Sequence, residues 1–260
     1  MQIYDDFQKE IKTNIKSLSQ DLELHDISRT WIEKITPHKW AYNFNWLGRP
    51  AIQFPNDAWA VQELIWKIKP DLIIETGIAH GGSLIYSASM LALLDLCELN
   101  EENELYDKSK SKRKVLGVDI DIRNHNRIAI ENHPLSKLVQ MIEGSSVDQK
   151  VIKSVKEISK NYSKVMVLLD SNHTYEHVFQ ELMAYAPLVT LNSYCVVFDT
   201  IVEDMPVHLF QNRPWGPGNS PKTAVQEFLK VNSEFEIDEN IHDKLQITVA
   251  PGGYLKRFRT

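Results

Sequence analysis

The chain has 260 residues, enough for one sizeable domain with its own core, and its 43% hydrophobic and 25% charged residues exclude extended disorder. Lys and Arg number 29 against 35 Asp and Glu, and the net charge of −6 disfavours non-specific binding to nucleic acid. Two cysteines, Cys97 and Cys195, exclude a disulfide framework and a four-thiolate metal site.

In chain order, Tyr4 to Leu24 places Phe7, Ile11, Ile15, Leu18 and Leu22 at helical spacing and predicts one amphipathic helix. Trp31, Trp40, Trp46 and the turn Leu47-Gly48-Arg49-Pro50 follow. Residues 1–54 thus read as a helical extension. It is either an appendage packing its aromatics on the main domain or a lid over a substrate pocket, and the two are compatible. Asp57 is placed to N-cap a helix that runs through Ile68 and stops at Lys69-Pro70. Asp71 to Glu75 is a short apolar run between polar ends, as expected of a buried parallel strand. A glycine-rich turn, Thr76 to Ser83, opens an apolar helix from Ser83 to Leu99, and Lys108 to Lys114 forms a basic surface loop.

Strands are then expected at Val115–Asp119, Leu138–Ile142, Val165–Asp170 and Tyr194–Asp199. Helices are expected at Arg123–Glu131, Val151–Tyr162, Tyr175–Ala186 and Ala224–Leu229. Leu245–Ala250 and Tyr254–Phe258 flank Pro251-Gly252-Gly253 and read as a terminal β-hairpin. Strands alternating with crossover helices predict an α/β fold for residues 55–260. Its sheet is doubly wound, Rossmann-like and mostly parallel, with an antiparallel C-terminal edge. No basic segment followed by an apolar one marks the amino terminus, and no uninterrupted apolar run approaches the ~20 residues that span a bilayer. A cytoplasmic protein is expected, and the aromatic extension makes a homo-oligomer plausible.

In such sheets ligands lie beyond the carboxyl ends of the strands. Those ends carry Glu75, Asp119, Gly144-Ser145-Ser146, Asp170 and Asp199. The turn holding Gly77, His80, Gly81, Gly82 and Ser83 matches neither G-x-G-x-x-G nor a Walker loop, which argues against a pyrophosphate cofactor. An acidic residue before the glycines suits an amine-bearing ligand, and Asp119 is placed to accept hydrogen bonds from ribose hydroxyls. Together these features point to S-adenosylmethionine, read by the first three strand ends, with Ser145 and Ser146 on the third.

Ile74-Glu-Thr-Gly-Ile-Ala-His-Gly-Gly-Ser83, Gly117-Val-Asp-Ile-Asp121, Leu169-Asp-Ser-Asn-His173 and Arg213-Pro-Trp-Gly-Pro-Gly-Asn219 resemble the rhamnosyl O-methyltransferase / cephalosporin hydroxylase-type family. The resemblance runs from about Pro55 to Phe258. It implies an S-adenosylmethionine-dependent O-methyltransferase acting on a sugar hydroxyl, in surface-polysaccharide or glycosylated natural-product assembly. It implies that Glu75, Gly77, Ser83, Asp119 and Ser146 line the cofactor site, that Asp170 and the end of the fifth strand hold Mg2+, and that His173 is the general base. The chemistry agrees. A hard dication on carboxylates lowers the pKa of a bound hydroxyl, and a histidine three residues on takes the proton.

The chain departs from the family at Phe198-Asp199-Thr200, where relatives place two adjacent polar ligands. Asp170 and Asp199 remain as carboxylate ligands, with Asn172, Glu203 or Asp204 as supplements. Arg213 and Trp215 read either as the wall of a sugar pocket or as part of a rigid connector. Alternative readings are methylation of a β-lactam-like metabolite and a non-catalytic nucleoside-binding homologue, the latter favoured by Phe198 and opposed by His173 and Asp170. Signatures of zinc hydrolysis, serine hydrolysis and dithiol chemistry are absent from the sequence.

Overall fold

The computed structural model describes residues 2–102 and 111–259. The amino-terminal segment forms α1 (Gln2–Gln20), α2 (Leu22–Ile35), two short 3-10 turns, and the hairpin β1 (Phe44–Trp46) and β2 (Arg49–Ala51). Two helices replace the one expected over Tyr4–Leu24. The Asp21 carboxylate accepts the Leu24 amide at 2.9 Å, which ends one helix and caps the next.

Then follow α3 (Pro55–Ile68), β3 (Leu72–Thr76), α4 (Gly82–Glu102), β4 (Lys114–Asp119), α5 (Asn124–Glu131), β5 (Val139–Glu143), α6 (Gln149–Ser159) and β6 (Val165–Leu169). The chain closes with α7 (Tyr175–Tyr185), β7 (Tyr194–Val197), α8 (Pro221–Val231), β8 (Phe235–Ile237), α9 (Glu239–Leu245) and β9 (Tyr254–Arg257). The seven-stranded sheet has the order β5-β4-β3-β6-β7-β9-β8. Its first five strands are parallel, and β9 runs antiparallel to both of its neighbours.

Alternation along the central strands assigns each side chain to one of two cores. Ile73, Val115, Met166 and Val196 face the layer of α3 and α4. Ile74, Leu116, Val167 and Cys195 face the layer of α6, α7 and α8. Both faces are covered, which is why these strands read as uninterrupted apolar runs.

Two further expectations need correction. Leu245–Ala250 is not a strand. The antiparallel partner of β9 is β8, and α9 lies between them, because β9 inserts beside β7 and reaches β8 with its other edge. Asp57 does not cap α3, which starts at Pro55; Asp57 lies within its first turn, and its buried carboxylate accepts from Thr248 Oγ1, the Val249 amide and the Tyr254 hydroxyl. Gly82–Leu99 in α4 is long and apolar enough to cross a membrane by length and composition; half of it is buried in the fold, with Leu84, Ala88 and Leu91 in the core. Lys108 and Lys110 of the basic loop lie outside the described residues.

The aromatic extension docks on the main sheet's helices. Trp31, Trp40 and Phe54 pack edge to face, and Trp46 meets Tyr86 of α4 at 4.9 Å while its indole N–H donates to Ser89 at 2.9 Å.

Candidate active site

The chain runs β3, β4, β5 in one direction across the sheet and then returns to place β6 on the other side of β3. A crevice opens where strand order reverses, between the ends of β3 and β6. Gly77 leaves β3 with φ +86°, and a β-carbon there would lie 2.0 Å from the Asp170 carbonyl oxygen. Only glycine fits this approach of two strand ends.

Beside it Glu75 is buried, and the Ser83 hydroxyl donates to its Oε1. Glu75 Oε2 has no partner among the described residues. Burial, with the nearby Asp119 charge adding to it, pushes the Glu75 carboxyl up to about 8 despite the Ser83 hydrogen bond. A buried carboxyl with an unmatched oxygen fits an amine-bearing ligand.

Asp119 is engaged by the backbone around it. Its Oδ2 accepts the Ile78 and Ala79 amides at 2.7 and 3.2 Å, and its Oδ1 accepts the Asp121 amide, so it holds the glycine turn in place. The turn is also fastened from outside. Arg49 donates from Nε and Nη2 to the His80 carbonyl and from Nη2 to Asn126 Oδ1, while Asn126 Nδ2 donates to the Ala79 carbonyl. The His80 ring lies 3.4 Å from the same Asn126 oxygen, and Gly81 presses on Ile130. A β-carbon on Gly82 would strike the Pro50 and Ala51 backbone. The sequence reading missed Arg49 and Asn126, because their partners lie tens of residues away.

At the end of β5 the Ser145 carbonyl accepts the Asp148 amide, and buried Ser146 meets His177 Nε2 at 2.9 Å. His177 Nε2 also reaches the Ser171 hydroxyl at 3.1 Å, and Ser171 donates to buried Glu181 at 2.7 Å. The ends of β5 and β6 are therefore tied together through α7. His177 and Glu181, spaced i and i+4 on that helix, were the only signal of this network.

Beyond β6 and β7, ligand atoms of Asp170, His173 and Asp199 lie within 4.8 Å of one another, and His173 Nε2 sits 3.2 Å from Asp199 Oδ2. Burial first, then the charges of Asp199, Glu75, Glu181 and Asp57, hold the Asp170 carboxyl well above the usual carboxylate range. A cation relieves that repulsion, and two carboxylate donors suit a hard dication. The supplementary ligands are committed elsewhere. Glu203 accepts from the Gly218 amide and the Ser220 hydroxyl, Asp204 pairs with Lys222, and Asn172 Oδ1 takes the Thr174 amide and hydroxyl. Phe198 is buried and faces a cavity.

Trp215 stands edge-on to His173 at 4.7 Å, and the Arg213 guanidinium lies 5.2 Å from the indole centre. The loop carrying them is rigid: Asn219 bonds Gly216, Pro214 and the first amide of α7, and Ser220 caps α8. It serves both as connector and as a wall beside His173.

A cavity of about 590 Å3 begins at Glu75, Ser83, Asp170 and Phe198 and extends between α3 and α4. The segment Phe44 to Phe54 forms one of its walls, so the extension closes over this space.

The sheet order, the glycine turn after β3 and the acidic strand ends define a Rossmann-like methyltransferase of class I architecture. The chain matches the rhamnosyl O-methyltransferase/CmcI family over residues 38–258 and belongs to that family. A rhamnosyl O-methyltransferase of Mycobacterium tuberculosis (strain H37Rv) is 27% identical over 228 residues, covering 85% of this chain and 83% of the relative. The enzyme of the same name from Mycobacterium leprae is 27% identical, covering 85% and 88%. Among solved structures, CmcI with Mg and SAM shares the fold with a TM-score of 0.54 at 16% identity, covering 83% of this chain and 77% of that one. CalS11, a TDP-rhamnose 3'-O-methyltransferase of calicheamicin biosynthesis, does so with a TM-score of 0.51 at 14% identity, covering 89% and 93%.

Proposed function

We propose that the protein transfers a methyl group from S-adenosylmethionine to a hydroxyl of a sugar, rhamnose being the first candidate, in the assembly of a surface glycan or glycosylated natural product. The observation that carries this reading is the convergence of Asp170, His173 and Asp199 beside the buried Glu75, in a member of this family. S-adenosylmethionine supplies a methyl group on a sulfonium, and Glu75 with the turn Gly77 to Ser83 fits its ammonium-bearing end. Asp119 and Ser146 stand at the next two strand ends, where its nucleoside is read. Asp170 and Asp199 would hold Mg2+, which when bound acts as a Lewis acid toward the acceptor hydroxyl.

Magnesium prefers oxygen donors, which leaves the imidazole of His173 free to accept a proton. In the tautomer that donates Nε2–H to Asp199, Nδ1 carries the lone pair. The hydroxyl proton passes to His173. The acceptor oxygen bonds to the methyl carbon, and the carbon–sulfur bond breaks with its electron pair kept on sulfur. Trp215, held by Arg213 and His173, offers an indole face beside this point for a pyranose ring. The two free cysteines support a reducing, cytoplasmic setting.

The test is calorimetric titration with S-adenosylhomocysteine, in magnesium and then in EDTA, followed by methyl transfer to rhamnosides under both conditions. Micromolar binding with magnesium-dependent transfer is expected. No binding in either condition removes the methyltransferase reading.

A further inference from the structure

Two serines and a histidine meet where β5 and β6 end. His177 Nε2 lies 2.9 Å from the Ser146 hydroxyl and 3.1 Å from the Ser171 hydroxyl. Each hydroxyl has a single proton to give. That of Ser171 goes to Glu181 Oε1 at 2.7 Å, because a buried carboxylate only accepts. Ser171 therefore meets His177 as an acceptor, and the histidine nitrogen carries the proton between them. Glu181 Oε1, 3.6 Å from the same nitrogen, favours a proton there as well. A protonated Nε2 also faces Ser146 as a donor, sharing its hydrogen between the two serine oxygens.

The Ser146 hydroxyl is thereby used as an acceptor and keeps its own proton free. It has no second partner among the described residues, although Ser146 is only 4% exposed. The residue is also fixed from behind, since the Tyr185 hydroxyl donates to its carbonyl at 2.6 Å. A buried hydroxyl with an unspent proton at a strand end is prepared to donate to a ligand.

We propose that His177, held by Ser171 and Glu181, is a positioning residue for the cofactor: it makes the Ser146 hydroxyl a donor toward a hydrogen-bond acceptor on the nucleoside. This rests on the methyltransferase reading and deepens it, because that reading puts the nucleoside at the ends of β4 and β5. His177 itself touches neither the methyl group nor the acceptor hydroxyl. Its effect belongs to donor affinity, whereas His173, four residues earlier, belongs to turnover.

The experiment titrates S-adenosylhomocysteine calorimetrically into the natural protein, His177→Met, His177→Gln, Ser146→Ala and the double variant Ser146→Ala/His177→Met. His177→Met keeps the bulk and removes the donor, so affinity should fall about tenfold. His177→Gln places an amide N–H near the position of Nε2 and should restore most of that loss. Ser146→Ala should cost about as much as His177→Met. The double variant should lose no more than either single one, since both act through one hydrogen bond. Steady-state kinetics of His177→Met should show KM for S-adenosylmethionine raised by about the same factor, with a smaller change in kcat.

A histidine that only supports the fold predicts the opposite pattern: losses that add, and no rescue by glutamine. Either result overturns the proposal, as does unchanged affinity in Ser146→Ala, a small substitution that keeps the test valid if His177→Met does not fold. Thermal midpoints report the folding of each variant. Failure of the methyltransferase reading registers separately, as absent S-adenosylhomocysteine binding to the natural protein.

Discussion

A β-carbon on Gly77 would sit 2.0 Å from the Asp170 carbonyl, on a backbone with φ +86°. Gly77→Ala should therefore cost upward of about 2 kcal/mol, from the strained φ and the forced separation of β3 from β6. It should also abolish S-adenosylhomocysteine binding, because the crevice cannot keep its width. Urea unfolding together with calorimetry checks both effects. His173 lies 3.2 Å from Asp199 and 4.7 Å from Trp215. His173→Ala should lower kcat by about 100-fold or more and leave S-adenosylhomocysteine affinity unchanged, as removal of a proton acceptor does. Equal losses in both quantities would show that the imidazole shapes the cofactor site instead. At this scale the motif residues were legible in the sequence: strand-end carboxylates and a glycine turn are local features. Their hydrogen-bond partners were not. Asp119 occupies itself with the glycine turn through contacts 40 residues apart, and nothing in the spacing of Gly117 to Asp121 indicates it.

At the level of elements, the hairpin of β1 and β2 is a strap across the glycine turn. Arg49 bonds the His80 carbonyl and Asn126, and the Pro50 and Ala51 backbone packs against Gly82, while the neighbouring Trp46 lines the cavity between α3 and α4. Arg49→Met should raise the KM for S-adenosylmethionine by about tenfold, the factor expected when a charged hydrogen-bonding group is lost, with a smaller change in kcat. Arg49→Lys should recover little of it, since a single ammonium cannot fork between His80 and Asn126. Steady-state kinetics with the donor varied decides this. An unchanged KM would mean that the turn holds its shape through Asp119 alone. The sequence showed Leu47 to Pro50 only as a turn, because a hairpin this short is stabilised by what it lies on. The same holds for the carboxyl-terminal strands: β9 pairs with β8 because the sheet offers an open edge beside β7, whereas Pro251-Gly252-Gly253 by itself reads as a hairpin turn.

Across the whole molecule, Asp57 joins the start of α3 to β9 and the segment before it through three accepted hydrogen bonds. Burial raises its carboxyl to about 6, against the hydrogen bonds of Thr248, Tyr254 and Val249. The folded value exceeds the unfolded one, so its contribution to stability is fully present below the unfolded value of about 4 and is lost as pH rises through 6. The shift amounts to something on the order of 3 kcal/mol. Asp57→Asn carries no such titration. Between pH 4 and 6.5 the stability of the natural protein should therefore fall relative to this variant. Urea midpoints of both proteins across that range test the sign, and a constant difference would contradict it.

The alternation of helices and strands from α3 to β7, the sheet class, the glycine turn and the acidic strand ends were determined by the sequence alone, because apolar periodicity and backbone freedom are properties of neighbouring residues. Other features were decided only by the tertiary structure. These are the convergence of Asp170, His173 and Asp199, the commitment of Glu203 and Asp204 to other partners, the strap of Arg49 and the apolar cavity under the extension. Each of them depends on which surfaces meet when the sheet closes and the extension docks, and those distances are set by packing between segments far apart in the chain.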